Sequence, residues 1–294
     1  MPELPEVETY TRYFARHALQ QRIKRVEVLD PRILGEVRAD AFVRSLRGRS
    51  FTSVRRHGKH LFADAQDVEW ASARRGGLKP ARGGLKPAQG GLKPARGGLK
   101  SAPHGTWLHL HFGMSGDLSY GAEIPRFARV VFTFDNEKKL SFEDMRLFGV
   151  ADLVSDPDAF IRDRSLGPDP LSLTAARFAR LFEKRRGAIK SLLMTQEVVA
   201  GLGNLYVDEI LYQTSIHPRR PVDRLQPAEV RALYTAMRRI LREAITRHAR
   251  ESELPRNYLF HNREEGERCP RCGGTIKRSV VFGRTTYFCG KHQR

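Results

Sequence analysis

The chain has 294 residues, enough for two modest domains, and its 52 lysines and arginines exceed its 33 acidic residues by 19. This charge indicates a polyanionic partner, with nucleic acid favoured over a membrane surface. The sequence contains no apolar run of membrane-spanning length and no signal-peptide core at its start, so we expect a cytoplasmic protein without a membrane partner.

The first predicted elements form a β-rich domain over residues 1–154. A helix is predicted over residues 3–20 because apolar side chains recur at helical spacing, at Val7, Tyr10, Phe14 and Ala18. Period-two alternation then predicts five strand segments, which are Ile23–Leu29, Phe51–Phe62, Thr106–Phe112, Arg129–Phe134 and Lys138–Phe142. Several short strands behind one helix predict a β-sandwich or barrel.

A seven-residue repeat interrupts this domain between residues 75 and 102. The unit RGGLKPA recurs four times with small changes, and residues 74–100 hold eight Lys and Arg and no acid. Two glycines per unit and prolines in the first three exclude a coiled coil. One leucine per unit cannot bury a core, so we predict a flexible basic loop. Added affinity for a polyanion and a neutral repeat expansion both remain open.

The second half of the chain is predicted to be helical. Residues 155–170 are rich in Pro and Asp and indicate a linker to a helical domain over 171–250. Its predicted helices are Thr174–Arg186, Ile189–Gln196, Leu205–Tyr212 and Pro227–His248. Asn204 can N-cap the third of these helices, since it follows the helix-breaking Gly201 and Gly203. The class is therefore α+β, in more than one domain.

Residues 262–294 form a small module that contains all three cysteines of the chain. Cys269 and Cys272 precede Cys289 and His292 with two residues inside each pair, a spacing typical of a zinc site. Three cysteines this close together argue for a metal site in a reducing compartment and against a disulfide scaffold. A C-terminal histidine that binds no metal is the alternative for His292.

The first residues can support chemistry as well as start a helix. Pro2 is small enough for the initiator methionine to be removed, which would expose a secondary amine. An amine is a nucleophile that can form a Schiff base with a sugar aldehyde carbon. Glu3 beside it would complete a set of nucleophile and general acid or base. Taken alone, a proline and acids in a first helical turn more often only start a helix.

Several separated motifs together resemble the formamidopyrimidine-DNA glycosylase family, bacterial DNA repair enzymes related to endonuclease VIII. The resemblance covers nearly the whole chain apart from the repeats. It rests on four motifs in a shared order: Pro2-Glu-Leu-Pro-Glu-Val-Glu8, Arg56-His-Gly-Lys59-His-Leu, Gly201-Leu-Gly-Asn204-Leu-Tyr-Val-Asp-Glu209-Ile-Leu, and the two Cys/His pairs, between which lies Gly283-Arg-Thr-Thr-Tyr-Phe-Cys289. It implies an N-terminal β-sandwich with a leading helix, a helix-two-turn-helix domain and a zinc-finger β-hairpin.

The resemblance also implies the catalytic residues. Pro2 would attack C1′ of a flipped nucleotide, Glu3 would shuttle a proton to the sugar ring oxygen, and β- and δ-elimination would cut the strand. Lys59 and Arg284 would contact phosphates next to the lesion. A solvated strand lysine and an exposed hairpin-tip arginine are the alternatives without a role.

Further residues are implied to contact the DNA. Met114, Arg146 and Phe148 would fill the space that the flipped base leaves, although either apolar residue alone could belong to a core. Asn204 and the adjacent backbone amides suit a phosphate at a helix N-terminus. His111 would help with phosphate binding or with packing.

We therefore predict a bifunctional DNA glycosylase and abasic-site lyase with one structural zinc ion, acting as a monomer on damaged double-stranded DNA in a bacterial cytoplasm. The Pro-Glu-Leu-Pro start favours oxidised or ring-opened purines as the lesion. Residues 249–257 are shorter than the Gly-rich loop that many relatives close over an oxidised purine, so an endonuclease VIII-like enzyme for oxidised pyrimidines remains an alternative. The others are a DNA-binding protein without catalysis and a basic RNA-binding protein.

Overall fold

The computed structural model describes residues 2–67 and 105–294, so the predicted repeat loop lies outside the described residues. Within these two ranges, ten strands form two four-stranded sheets and one hairpin. The strands are β1 Ile23–Val28, β2 Arg49–His57, β3 His60–Asp67, β4 Thr106–His111, β5 Gly116–Gly121, β6 Ala128–Phe134, β7 Lys139–Asp144, β8 Val150–Val154, β9 Ile276–Val281 and β10 Arg284–Cys289.

Seven helices accompany these strands in the described residues. They are α1 Leu4–Ala18, α2 Ala39–Leu46, α3 Pro157–Asp163, α4 Ala175–Arg180, α5 Ile189–Met194, α6 Asn204–Gln213 and α7 Pro227–Thr246. The described residues also contain short 3₁₀ helices at Pro31–Ile33, Val222–Arg224, Glu251–Glu253 and Leu259–Asn262. Among the described residues, no helix is both long and apolar enough to cross a membrane.

The first eight strands form the predicted β-sandwich. One sheet has the order β1-β6-β7-β5 and the other β2-β3-β4-β8, and every pairing between these strands is antiparallel. Alternating apolar residues fill the space between the sheets, and α1 adds Val7, Phe14 and Ala18 to this core. The helical spacing therefore predicted the buried face of α1 correctly.

Several elements of the first half were not predicted as the structure has them. The predicted segment Phe51–Phe62 is two strands, β2 and β3, joined at Gly58 and Lys59. Strands β5 and β8 and helix α2 had no prediction, because β5 has only two large apolar residues, the five residues of β8 do not alternate, and α2 spans only eight residues. Within the predicted linker, Asp156 caps α3 by accepting the backbone N–H of Asp158 at 2.8 Å.

The helical domain has a core of its own, to which α1 also contributes. Leu4 packs with the apolar residues of α5, α6 and α7, while Val7 at the next turn of α1 belongs to the sandwich core. The predicted fourth helix is correct within two residues, and α4 and α5 are shorter than predicted. The hairpin β9–β10 packs as a third small core around Tyr212, Leu259 and the cysteines. The α+β class with its three predicted parts is confirmed.

Candidate active site and zinc finger

The carboxylate of Glu3 links the start of the chain to the helical domain. Glu3 is 2% exposed and accepts the backbone N–H groups of Gly203 at 2.7 Å, Leu205 at 2.9 Å and Tyr206 at 3.4 Å. These are the unpaired donors at the N-terminus of α6, where a negative charge is stabilised. An acid 200 residues away in the sequence therefore caps α6 and holds the adjacent Pro2 against the domain boundary.

Two glycines permit this close approach. A Cβ at Gly203 would lie 2.4 Å from the Glu3 carboxyl carbon, so any side chain there would displace the carboxylate. A Cβ at Gly58 would lie 2.8 Å from the Ala200 side chain, and the φ of Gly58 is +55°. The β2–β3 turn can thus press against the turn before α6 only with glycine at position 58.

Buried ion pairs fix the same boundary. Arg56 in β2 bonds through Nε to Glu8 of α1 at 3.0 Å and also pairs with Asp169 of the helical domain. Asp169 accepts the backbone N–H of Gly58 at 3.0 Å. Each buried charge has an opposite partner, which offsets the cost of its desolvation. The position of the adjacent Lys59 is therefore set from both domains.

Lys59, Glu3 and Arg284 converge at this boundary. Burial lowers the pKa of the Lys59 amine, the charge of Glu3 opposes this shift, and the charge of Arg284 adds to it. Burial raises the pKa of Glu3, while Lys59 and the three amides act in the opposite direction. The structure thus brings together the predicted residues from the N-terminus, the sandwich and the zinc-finger hairpin.

Glu6 is a second, half-buried acid beside Glu3, to which the sequence analysis gave no role. Its carboxylate accepts the Glu3 backbone N–H at 2.8 Å and the Tyr206 hydroxyl at 2.8 Å. Burial and the nearby charge of Glu3 raise the pKa of Glu6 to about 7. Glu6 reaches back from the third position of α1 to the Glu3 backbone N–H, as in a capping box, and this spacing is the sequence signal that could have identified it.

Asn204 does not have the predicted capping role. Gly203 occupies the N-cap position and Asn204 is the first residue of α6. The capping hydrogen bonds are accepted by the Glu3 carboxylate instead of by an Asn204 side chain. The Asn204 side chain donates from Nδ2 to the carbonyl of Thr285 in β10 at 2.9 Å. The prediction was wrong because the competing cap lies far away in the sequence. The amides expected to receive a phosphate are occupied by the Glu3 carboxylate.

A buried charge cluster fastens the hairpin to the helical domain. Lys190 of α5 and Asp208 of α6 are both fully buried and pair at 2.6 Å. Lys190 also donates to the Thr286 hydroxyl at 2.7 Å, and Asp208 accepts the backbone N–H of Tyr287 at 3.2 Å and Arg263 Nη2 at 2.6 Å. This cluster sets the position of β10, which begins at Arg284. The sequence analysis missed it, since nothing local marks these charges as buried.

The three predicted wedge residues lie on two adjacent loops. Met114 is 43% exposed and Phe148 54% exposed, so neither belongs to a core. The Arg146 guanidinium lies over the Phe148 ring at 5.0 Å. Buried Asp144 shapes the second loop by accepting the backbone N–H groups of Arg146 at 3.0 Å and Gly149 at 2.6 Å. Met145 is also exposed there and was not predicted.

His111 lies at the end of β4, and its ring contacts both the following loop and His60. Its Nδ1 accepts the backbone N–H of Gly113 at 3.2 Å, and its ring lies 5.0 Å from that of His60. Burial and the charge of Lys59 lower the pKa of His111 to about 4. The ring is therefore neutral near pH 7, carries its proton on Nε2, and shapes the loop that presents Met114.

The four predicted metal ligands meet at the base of the hairpin. The ligand atoms of Cys269, Cys272, Cys289 and His292 all lie within 4.8 Å of one another, and Cys272 Sγ is 3.5 Å from Cys289 Sγ. Zn–S bonds of about 2.3 Å in a tetrahedron would put two sulfurs about 3.8 Å apart. His292 Nε2 donates to the Tyr212 carbonyl, which turns Nδ1 toward the thiols. The site fits one zinc ion.

Substitution of His292 tests whether this residue is a zinc ligand or a C-terminal histidine that binds no metal. We expect His292→Ala to weaken zinc affinity by more than about 100-fold, because even outer partners of zinc ligands contribute 10–100-fold. His292→Cys restores a thiolate ligand and should retain about one zinc per chain. Zinc content by elemental analysis and competition with a chelator measure both. Full affinity in the alanine variant would exclude His292 as a ligand.

A β-sandwich joined through its first helix to a helical domain, with a zinc-finger hairpin against that domain, is typical of DNA glycosylases with a helix-two-turn-helix motif. Family models match three segments of the chain: the formamidopyrimidine-DNA glycosylase N-terminal domain at residues 1–151, the H2TH domain of these glycosylases at 166–255, and the zinc finger found in FPG and IleRS at 266–291. The chain belongs to the formamidopyrimidine-DNA glycosylase family.

Individual relatives agree with this assignment. Formamidopyrimidine-DNA glycosylases of Roseiflexus sp. and Desulforamulus reducens are 34% and 31% identical to the chain, and each match covers 100% of this chain and at least 99% of the relative. A structure of MutM with DNA containing carbocyclic 8-oxo-G superposes with a TM-score of 0.79 at 25% identity over both whole chains. The Lactococcus lactis enzyme bound to abasic-site DNA has a TM-score of 0.78 at 25% identity over 99% of each chain.

Proposed function

We propose that the chain is a bifunctional DNA glycosylase and abasic-site lyase of base excision repair that uses Pro2 as its nucleophile. The observation that supports this most is the capping of α6 by Glu3. That contact fixes the residue next to Pro2 at the domain boundary, where the charges of Glu3 and Arg284 both act on Lys59. A DNA-binding protein without catalysis could use Glu3 only as the cap of α6, and the variants described in the Discussion separate the two roles.

The proposed reaction begins with a bond between the Pro2 nitrogen and C1′ of the flipped nucleotide. The bond from C1′ to the base breaks, and the base leaves with the electron pair and takes up a proton. A proton from Glu3 to the ring oxygen opens the sugar and leaves a Schiff base on C1′. Successive β- and δ-elimination then expel the two phosphates. The elevated pKa that burial imposes on Glu3 favours its role as a proton donor.

Lys59 and Arg284 are proposed to hold the phosphates beside the reacting sugar. Both are cations at the boundary where Pro2 lies, and charge-assisted contacts of this kind position the DNA backbone. Asn204 is proposed to help indirectly, because its hydrogen bond to the Thr285 carbonyl fixes the residue next to Arg284. His111 contributes through the loop that it shapes.

Met114, Arg146 and Phe148 are proposed to occupy the space that the flipped base leaves. Exposed apolar side chains on a soluble protein often mark a contact surface, and Met and Phe are suitable wedges between base steps. Arg146 can hydrogen-bond to the orphaned base on the other strand. The cation–π contact with Phe148 orders both side chains before DNA arrives.

The proposed partner is damaged double-stranded DNA, bound by a monomer between the two domains in the bacterial cytoplasm, and the zinc ion holds the hairpin in shape. The proposed lesions are 8-oxoguanine and formamidopyrimidine. This choice is supported by the Pro-Glu-Leu-Pro start and by the DNA in the similar structures, an 8-oxo-G analogue with MutM and an abasic site with the Lactococcus lactis enzyme.

Single-turnover excision rates on matched duplexes test this function. We expect 8-oxoguanine opposite cytosine to be removed at least about 10-fold faster than an oxidised pyrimidine in the same sequence, a ratio within the range that pocket contacts provide. An undamaged duplex is the control for non-specific cleavage. Faster removal of the pyrimidine would instead assign an endonuclease VIII-like preference, and no cleavage of any lesion or abasic site would contradict an enzymatic function.

A further inference from the structure

The turn at the tip of the zinc-finger hairpin has an unusual residue for its geometry. Arg284 pairs with Val281, so the connection consists of Phe282 and Gly283 alone. Their φ angles are +53° and +65°, the left-handed pair of a type I′ turn. Glycine, asparagine and aspartate favour the first of these positions, and a bulky aromatic residue is disfavoured there. Phe282 therefore occupies a backbone conformation that disfavours its residue type.

Phe282 also packs poorly within the protein. It is 61% exposed, the highest value among the exposed large apolar residues of the described ranges. Val280, two residues before it on the same hairpin, is 59% exposed. A residue that is strained in its backbone and solvated in its side chain contributes little to folding, and such features concentrate at functional positions.

The hairpin is anchored on both sides of this tip. Arg219 of the helical domain donates from Nη2 to the Val280 carbonyl at 2.9 Å, and Asn204 donates to the Thr285 carbonyl at 2.9 Å. The buried bond from Lys190 to Thr286 lies one residue further along β10. Phe282 therefore projects from a fixed base, and little entropy would be lost when a partner orders it.

The charge of the hairpin indicates which partner this is. Residues 268–294 contain seven lysines and arginines and no acid, and Arg284 lies two residues from Phe282. An aromatic side chain within a positively charged surface suits nucleic acid, because the charges meet phosphates while the ring stacks on a base. A protein partner with an apolar surface would not need this concentration of positive charge.

We propose that Phe282 stacks on a base or inserts at a base step beside the lesion, as a positioning residue delivered by the zinc finger. Two residues span at most about 7 Å, and DNA rises about 3.4 Å per step, so Phe282 would reach within about two steps of the sugar beside Arg284. This contact is separate from the wedge of Met114 and Phe148, which comes from the sandwich domain. The proposal rests on the function proposed above.

Binding of a duplex that contains a tetrahydrofuran abasic-site analogue, measured by fluorescence anisotropy, tests the proposal. Phe282→Ala should weaken binding about 10-fold, the scale of one lost base–aromatic stack. Phe282→Trp should retain affinity, and emission from the new tryptophan should be quenched by the DNA. Leu29→Ala, at an exposed leucine of the sandwich, is the matched control and should bind like wild type.

Phe282→Asn separates DNA binding from folding. Asparagine favours the left-handed turn, so this variant should keep or raise the Tm and the zinc affinity while it binds DNA as weakly as Phe282→Ala. Wild-type affinity in both variants would overturn the proposal, as would affinity loss that merely follows a lower Tm. These outcomes are distinct from failure of the proposed function, in which the wild-type chain itself would neither cleave abasic DNA nor prefer the analogue over an undamaged duplex.

Discussion

Borohydride should trap a covalent complex between the wild-type chain and duplex DNA with an abasic site, and one extra residue before Pro2 should abolish it. The extension converts the secondary amine into an amide, whose nitrogen lone pair is delocalised into the carbonyl and no longer attacks carbon. We expect the trapped fraction to fall by roughly 100-fold or more, the scale on which loss of a catalytic group lowers a rate. Gel analysis of the reduced complex measures it.

Two variants sharpen this experiment. Pro2→Gly keeps an amine but changes its basicity and the fixed ring, so trapping should be reduced less than by the extension. Pro5→Ala, at a buried proline of α1 that carries no free amine, is the control and should trap normally. Undiminished trapping by the extended chain would contradict Pro2 as nucleophile. The half-buried Lys59 amine, whose pKa burial lowers, would then be the next candidate.

The sequence predicted most reliably where the signal is local. The stripe of Val7, Phe14 and Ala18 specified the buried face of α1, and the cysteine spacing specified the zinc finger. Helix α7 was predicted within two residues because its apolar positions repeat over 20 residues. Strand β5 has only Leu118 and Tyr120 as large apolar residues, and the five residues of β8 do not alternate, so neither stands out.

The geometry of the site depends on contacts between distant parts of the chain, which no local pattern contains. The motifs identified Glu3 and Asn204, yet the structure gives the capping of α6 to Glu3 and turns Asn204 toward the hairpin. Nothing in the local sequence distinguishes Lys190 and Asp208 from exposed helix charges, and it is the packing of the hairpin that buries them. Local propensity favoured asparagine as the cap, and a better-placed carboxylate from the other domain replaced it.

Glu3→Gln should lower base excision by at least about 100-fold while it lowers strand cleavage at a preformed abasic site much less. An amide cannot supply the proton that the sugar ring oxygen needs, whereas attack by Pro2 on an open aldehyde needs less assistance from an acid. Glutamine also has one acceptor oxygen for the three N–H groups of Gly203, Leu205 and Tyr206, and its NH₂ would face a donor. We therefore expect a stability loss of about 1–3 kcal/mol as well.

Comparison with Glu6→Gln decides between the catalytic and the structural role of Glu3. Glu6 is the neighbouring half-buried acid at the start of α1 and accepts bonds from Glu3 and Tyr206, so its substitution perturbs the same turn without removing the proposed proton donor. Unfolding in urea gives the stability of each variant, and single-turnover rates on lesion and abasic duplexes give the two activities. If both variants lose both activities in proportion to stability, Glu3 acts only as the cap of α6. A selective loss of base excision in Glu3→Gln, with Glu6→Gln near wild type, would assign the proton transfer to Glu3.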